Sequence, residues 1–76
     1  MKIIPLRKMQ DGQSGTITTI KASGALGRRI RDMGLIPGAG ITVSLRAPLR
    51  DPVAVKVQSA TIALRNNEAD YIFVTL

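Results

Sequence analysis

Charge is the one kind of chemistry this chain carries in quantity. Its carboxylates are Asp11, Asp32, Asp51, Glu68 and Asp70, and only the last two lie close together. Cys and His are absent, which excludes thiol nucleophiles, imidazole bases, disulfides and Cys/His zinc sites. A hard-cation site would have to gather several of the scattered carboxylates, so no metal or other cofactor is expected. Acid–base or nucleophilic catalysis needs a positioned set of such groups, and enzyme activity is not expected either. Eleven Lys and Arg give a net charge of +6. A small basic protein is drawn to polyanions: nucleic acid, anionic lipid or an acidic protein face. Only Tyr71 and Phe73 are aromatic. That argues against single-strand nucleic acid, which needs stacking platforms, and against proline-rich peptides, which need an aromatic groove.

The element best placed to present charge is one helix, predicted over Ala22 to Met33. Ser23 is its expected N-cap, and Leu26, Ile30 and Met33 make one apolar stripe at i, i+4 and i+7. Arg28, Arg29 and Arg31 lie off that stripe near the C-terminal turns, where positive charge suits the helix dipole. Gly24 and Gly27 each lower intrinsic helix stability by about 1 kcal/mol relative to alanine, so the helix must depend on packing. Its end is strongly marked. Gly34 sits where a helix closes in a left-handed residue, and Leu35 falls where a Schellman ending folds it back on Ile30. Pro37-Gly38 fits the centre of a type II turn.

The rest reads as β. Lys2 to Leu6 is a short edge strand ended by Pro5, and Asp11-Gly12 is a turn. Ser14 to Lys21 is rich in β-branched residues, but Ile17 and Ile20 are three apart, which predicts a bulge near Thr18-Thr19. From Gly40 to Ala47, Ile41, Val43 and Leu45 alternate with polar residues and are expected on one buried face. A loop from Pro48 to Asp51 leads to a strand with Val53, Val55 and Val57 inward. Ser59 marks a turn, and Ile62 and Leu64 point inward from the next strand. Arg65 to Glu68 is a polar break, expected as a short 3-10 turn. In the last strand Ile72, Val74 and Leu76 share one face, with Tyr71 and Phe73 on the other.

Seventy-six residues make a single domain, 1–76, with room for a small core only. No apolar run approaches the ~20 residues of a membrane span. The start, MKIIPLRKMQDG, is broken by Pro5, Arg7 and Lys8, so a signal sequence is not expected there. A soluble, intracellular chain is expected, without direct membrane insertion.

Several short motifs then fall into an order: Leu6 with Asp11-Gly12, Gly15 and Ile17, Met33-Gly34-Leu35-Ile36-Pro37-Gly38, the A-P-L-x-D-P stretch from Ala47 to Pro52, I-A-L-R from Ile62 to Arg65, Glu68-Ala69, and the strand Tyr71 to Val74. Each is weak alone. Together they run nearly end to end and resemble the FeoA family, the small cytoplasmic component of bacterial ferrous iron transport. Arg50 and Ser59 stand where that family commonly has glycine. The resemblance implies a mainly β, SH3-like barrel of about five strands. One α-helix would lie between the first and second barrel strands, with a short 3-10 turn before the last. The same barrel is found in the C-terminal domain of diphtheria-toxin-repressor-type iron regulators.

In function the resemblance implies a cytoplasmic, bacterial accessory protein of ferrous iron uptake. It would bind the cytoplasmic face of the membrane permease FeoB, be recruited by it to the inner face of the membrane, and assemble the transporter or regulate its G-protein domain. Three surfaces are candidates for that contact: the helix arginines Arg28, Arg29 and Arg31; the turn Leu35, Ile36 and Pro37; and the loop Leu49, Arg50 and Asp51. Exposed sheet edges also predict a weak homodimer. The alternative is a basic SH3-like nucleic-acid-binding domain, or a regulatory domain of the iron-dependent-repressor kind. The sparse aromatics and the lack of a dense Lys/Arg run disfavour nucleic acid.

Overall fold

A computed structural model describes residues 2–46 and 51–76. Among them are six strands: β1 (Ile3–Pro5), β2 (Ser14–Ile20), β3 (Gly40–Arg46), β4 (Val53–Val57), β5 (Ala60–Leu64) and β6 (Ile72–Thr75). Helix α1 (Gly24–Asp32) joins β2 to β3, and α2 (Asn66–Ala69) joins β5 to β6. The strands form one antiparallel sheet in the order β1-β6-β2-β3-β4-β5. The mainly β class stands, with six strands where about five were expected. The break before the last strand is a single α-helical turn, and the 3-10 turn lies instead at Leu6–Lys8.

Two register shifts shape the sheet. In β2, Ile17 pairs with Val74 and Thr19 with Phe73, so Thr18 is the extra residue of a bulge. The bulge puts Ile17 and Ile20 on the same inner face although they are three apart, as their spacing predicts. The Thr18 hydroxyl meets the Thr75 hydroxyl across this irregularity. The second shift lies in β3, where Val43 pairs with Val55 but Leu45 pairs with Ala54. Ser44 is the extra residue here, and the expectation of Leu45 in the core is corrected. Ile41 and Val43 are buried, whereas Leu45 is turned onto the outer face and is 62% exposed. A bulge inserts one residue, and with a side-chain period of two that reverses the face of everything after it. Leu76 also departs from expectation. It lies past the end of β6 and is partly exposed, while Ile72 and Val74 are fully buried.

The core draws on β2 to β6 through Ile17, Ile41, Val43, Val53, Val55, Val57, Leu64, Ile72 and Val74, on Leu6 and Met9 between β1 and β2, and is closed by Ile30 of α1, Leu35 and Ala69. Two glycines are fixed by space. A Cβ on Gly15 would stand 2.4 Å from Val74 Cγ1 and 2.7 Å from the Thr75 carbonyl oxygen. A Cβ on Gly27 would stand 2.6 Å from the Ala22 carbonyl oxygen. By contrast, a Cβ on Gly40 meets nothing within 4 Å.

These contacts give a paired expectation in urea unfolding. Gly15→Ala forces β2 and β6 apart and should cost about 1–3 kcal/mol, as overpacking does. Gly40→Ala should lie within about 0.5 kcal/mol of the parent, as unconstrained surface changes do. Equal effects at the two positions would contradict the packing described.

Candidate protein-interaction site

Helix α1 begins at Ser23, whose backbone is extended (φ −128, ψ 173) but whose side chain makes no capping bond. Gly24 opens the helix with φ +63. The predicted stripe is present: Ile30 is buried, and Leu26 and Met33 pack against the core. Gly27 lies on the same buried side and lets the helix approach the chain at Ala22. The stop is a Schellman motif. The Gly34 N–H donates to the Arg31 carbonyl (2.9 Å) and the Leu35 N–H to the Ile30 carbonyl (3.3 Å), with Gly34 at φ +91. The Ala39 N–H then donates to the Ile36 carbonyl (3.1 Å) across Pro37-Gly38, with Gly38 at φ +94, the geometry of a type II turn.

The turn is bonded to the sheet in both directions. The Gly38 N–H donates to the Ile17 carbonyl (2.8 Å), and the Ile17 N–H donates to the Ala39 carbonyl (2.9 Å). Between α1, the end of β2 and this turn lies a cleft of about 260 Å³ lined by Ile20, Ala22, Gly27, Arg31 and Pro37. Apart from Arg31, the one charged group, the lining residues are apolar in type, although the surface the cleft exposes is more polar than apolar. Ile36 stands beside Pro37 and is 44% exposed. Such a cleft suits an apolar side chain accompanied by a carboxylate, which a guanidinium can hold with two parallel hydrogen bonds.

The candidate residues divide. Arg28 and Arg31 are exposed, and among the described residues neither has an ion-pair partner. Arg29 is committed inside the molecule: its Nε lies 3.3 Å from Glu68 Oε2, and the Glu68 side chain is only 6% exposed. The other oxygen, Glu68 Oε1, accepts the Arg65 N–H at 3.0 Å. This is the return half of a capping box, and the other half is lacking because arginine has no acceptor. Leu35 is fully buried, whereas Ile36 and Pro37 are exposed. Asp51 is half-buried, and its Oδ1 accepts the Asn66 N–H at 2.9 Å, so it fixes the start of α2. Leu49 and Arg50 lie outside the described residues.

The sequence reading missed Glu68, Ile20 and Ala22 as neighbours of the arginines. Glu68 had a signal, a glutamate three residues after a helix start, but no Ser or Thr preceded it to complete the pattern. Among the described residues no three or more Asp or Glu gather as a metal site would require. No helix among them is long and apolar enough to cross a membrane.

A family model for the FeoA domain matches residues 4–76. The chain belongs to the FeoA family. It is 35% identical over 71 residues to the Fe(2+) transport protein A/Fe(2+) transporter FeoB fusion protein of Porphyromonas gingivalis. That match covers 93% of this chain but 8% of the fusion protein. The solution structure of iron(II) transport protein A from Clostridium thermocellum is 34% identical, with a TM-score of 0.92 over 96% of this chain and 45% of that one. Stenotrophomonas maltophilia FeoA, crystallised with zinc and described as a prokaryotic SH3 domain protein, is 25% identical. Its TM-score is 0.83 over 95% of this chain and 89% of that one. The SH3-like architecture expected from the FeoA resemblance is therefore present, and so is the link to ferrous iron transport proteins. The kinship with repressor-type regulators is one of fold: T. acidophilum IdeR shares it at 22% identity, with a TM-score of 0.87 over the whole of this chain and 35% of that one.

The division of the arginines predicts a stability pattern. Arg29→Ala leaves the Glu68 carboxylate buried without its cation and should cost about 1–2 kcal/mol, below the cost of breaking a fully buried pair because Arg29 itself is exposed. Arg28→Ala and Arg31→Ala should each stay within about 0.5 kcal/mol of the parent. Thermal and urea unfolding of the three variants measure this directly.

Proposed function

We propose that this chain is a cytoplasmic accessory module of ferrous iron uptake, without catalysis of its own, that docks on the cytoplasmic part of the permease FeoB. One observation carries the reading. In the Porphyromonas gingivalis relative, a segment homologous to nearly all of this chain is named as one polypeptide with FeoB. Covalent fusion holds two modules at high effective concentration, which is of use where the separate modules must otherwise find each other. The net charge of +6 and the free cations Arg28 and Arg31 favour an acidic face on the partner.

In this reading the cleft between α1 and Pro37 is the contact. An apolar side chain of the partner enters against Ile20 and Ala22, and a neighbouring carboxylate pairs with Arg31. Arg28 and Ile36 extend the surface on either side. Arg29, Leu35 and Asp51 hold the site in shape instead of touching the partner. Docking there brings the module to the inner face of the membrane through its partner and assembles the transporter or regulates its G-protein domain.

The test is a pull-down, followed by calorimetry, with the cytoplasmic domain of FeoB from the same organism in each nucleotide state. The Arg28→Glu/Arg31→Glu and Ile36→Asp variants should bind at least tenfold more weakly, about 1.4 kcal/mol, while keeping the parent's unfolding midpoint. Leu49→Asp, chosen from sequence alone, tests the remaining loop. Failure of the unaltered protein to bind in any nucleotide state would refute the proposal.

A further inference from the structure

The two edges of the sheet are built differently. β1 has three residues, ends in Pro5 and follows the exposed Lys2. Short length, proline and lysine are the usual devices that blunt an edge against added strands. β5 has five residues, Ala60–Leu64, with no proline, no charged residue and no register break against β4.

The hairpin from β4 to β5 turns through Gln58 and Ser59 and closes on the pair Val57–Ala60. A two-residue loop closes on a hydrogen-bonded pair, and bonded and non-bonded pairs alternate from there. Ala60, Ile62 and Leu64 therefore direct their peptide groups toward β4, and Thr61 and Ala63 direct theirs away from it. Among the described residues no strand lies beyond β5, and no turn or loop backbone bond reaches Thr61 or Ala63.

The outer face beside this edge has a distinct chemistry. Register places Leu45, Ala54 and Ala63 in one row and Thr42, Lys56 and Thr61 in the next. The first row is apolar, and its Leu45 is there because of the Ser44 bulge. Lys56 in the second row is exposed, and so is Arg65, which directly follows β5. Among the described residues neither cation has an acidic partner.

We propose that the β5 edge is a second docking site, distinct from the α1 cleft, which takes an extended acidic segment of a partner protein as an antiparallel or parallel seventh strand. Main-chain bonds from Thr61 and Ala63 supply the attachment, as in other strand additions. An apolar side chain of the added strand extends the row of Ala63, Ala54 and Leu45. A carboxylate beside Thr61 lies on the row of Lys56, and a second one further along the added strand, past Leu64, meets Arg65. A second copy of this chain is disfavoured as the occupant, because it would bring another +6 charge against the same cations. The inference does not depend on which partner fills the cleft.

The probe is the capped peptide acetyl-TVEVLVEVT-amide, with acetyl-TVKVLVKVT-amide as its charge-reversed control, followed by NMR on the full chain. At saturating acidic peptide the Thr61 and Ala63 amides should exchange at least tenfold more slowly, while Ala60 and Ile62, already bonded to β4, change little. The lysine peptide should bind at least tenfold more weakly. Ala63→Pro removes an outward N–H without touching the β4 ladder and should abolish the protection. Lys56→Glu/Arg65→Glu, which leaves the strand sequence intact, should reverse the preference between the two peptides. Absence of binding, equal affinity for the two peptides, or shifts centred on Ile20, Arg31 and Ile36 would overturn the proposal. So would protection of Thr61 and Ala63 brought about by raising the protein concentration alone.

Discussion

Everything that gives this small sheet an outside depends on how the chain leaves α1. Between Asp32 and Gly40 it has to end a helix, reverse, and enter β3 in register. It does so with two left-handed glycines, Gly34 and Gly38, and two bonds that return to Ile17. Those bonds join the turn to β2 immediately before the Thr18 bulge. Leu35, between the glycines, is part of the hydrophobic core. The helix is short and carries glycine at two positions, so its own propensity cannot hold it. It is held by its end, and the cleft beside Arg31 exists because that end is fixed.

Much of this was legible in the sequence, because the signals were chemical and local. Glycine at the helix end, leucine after it, and proline-glycine after that each allow few alternatives. The Thr18 bulge was legible too, since Ile17 and Ile20 cannot share a face in a regular strand. The Ser44 bulge was not. Ile41, Val43 and Leu45 alternate without interruption, and nothing local distinguishes a leucine that continues into the core from one turned out of it. What decides is the partner strand, where Ala54 faces out and Val53 and Val55 face in. Tertiary pairing overrode a clean local pattern.

The arginines show the same limit. Arg28, Arg29 and Arg31 look alike in sequence, and the helix period separates them from the core but not from one another. The fold separates them by bringing Glu68 of α2 beneath Arg29 and leaving Arg31 on the cleft. Glu68 belongs to an element that the sequence marked only as a polar break. One buried carboxylate thereby converts a cation that looked available for recognition into a brace between two helices. Arg28 and Arg31 near the turn, and Lys56 and Arg65 near the β5 edge, are among the exposed cations that keep no acidic partner among the described residues.

The α1 ending and its turn are an inseparable part of the folded core and not a surface connection laid over it. Native-state hydrogen exchange measures this residue by residue, because local openings and global unfolding have different free energies. The amides of Ile17, Gly34, Leu35, Gly38 and Ala39 should exchange only through global unfolding, with the same free energy as core amides such as those of Val43 and Val55. Exchange at these five positions through a lower-energy local opening, while the sheet stays protected, would contradict the account.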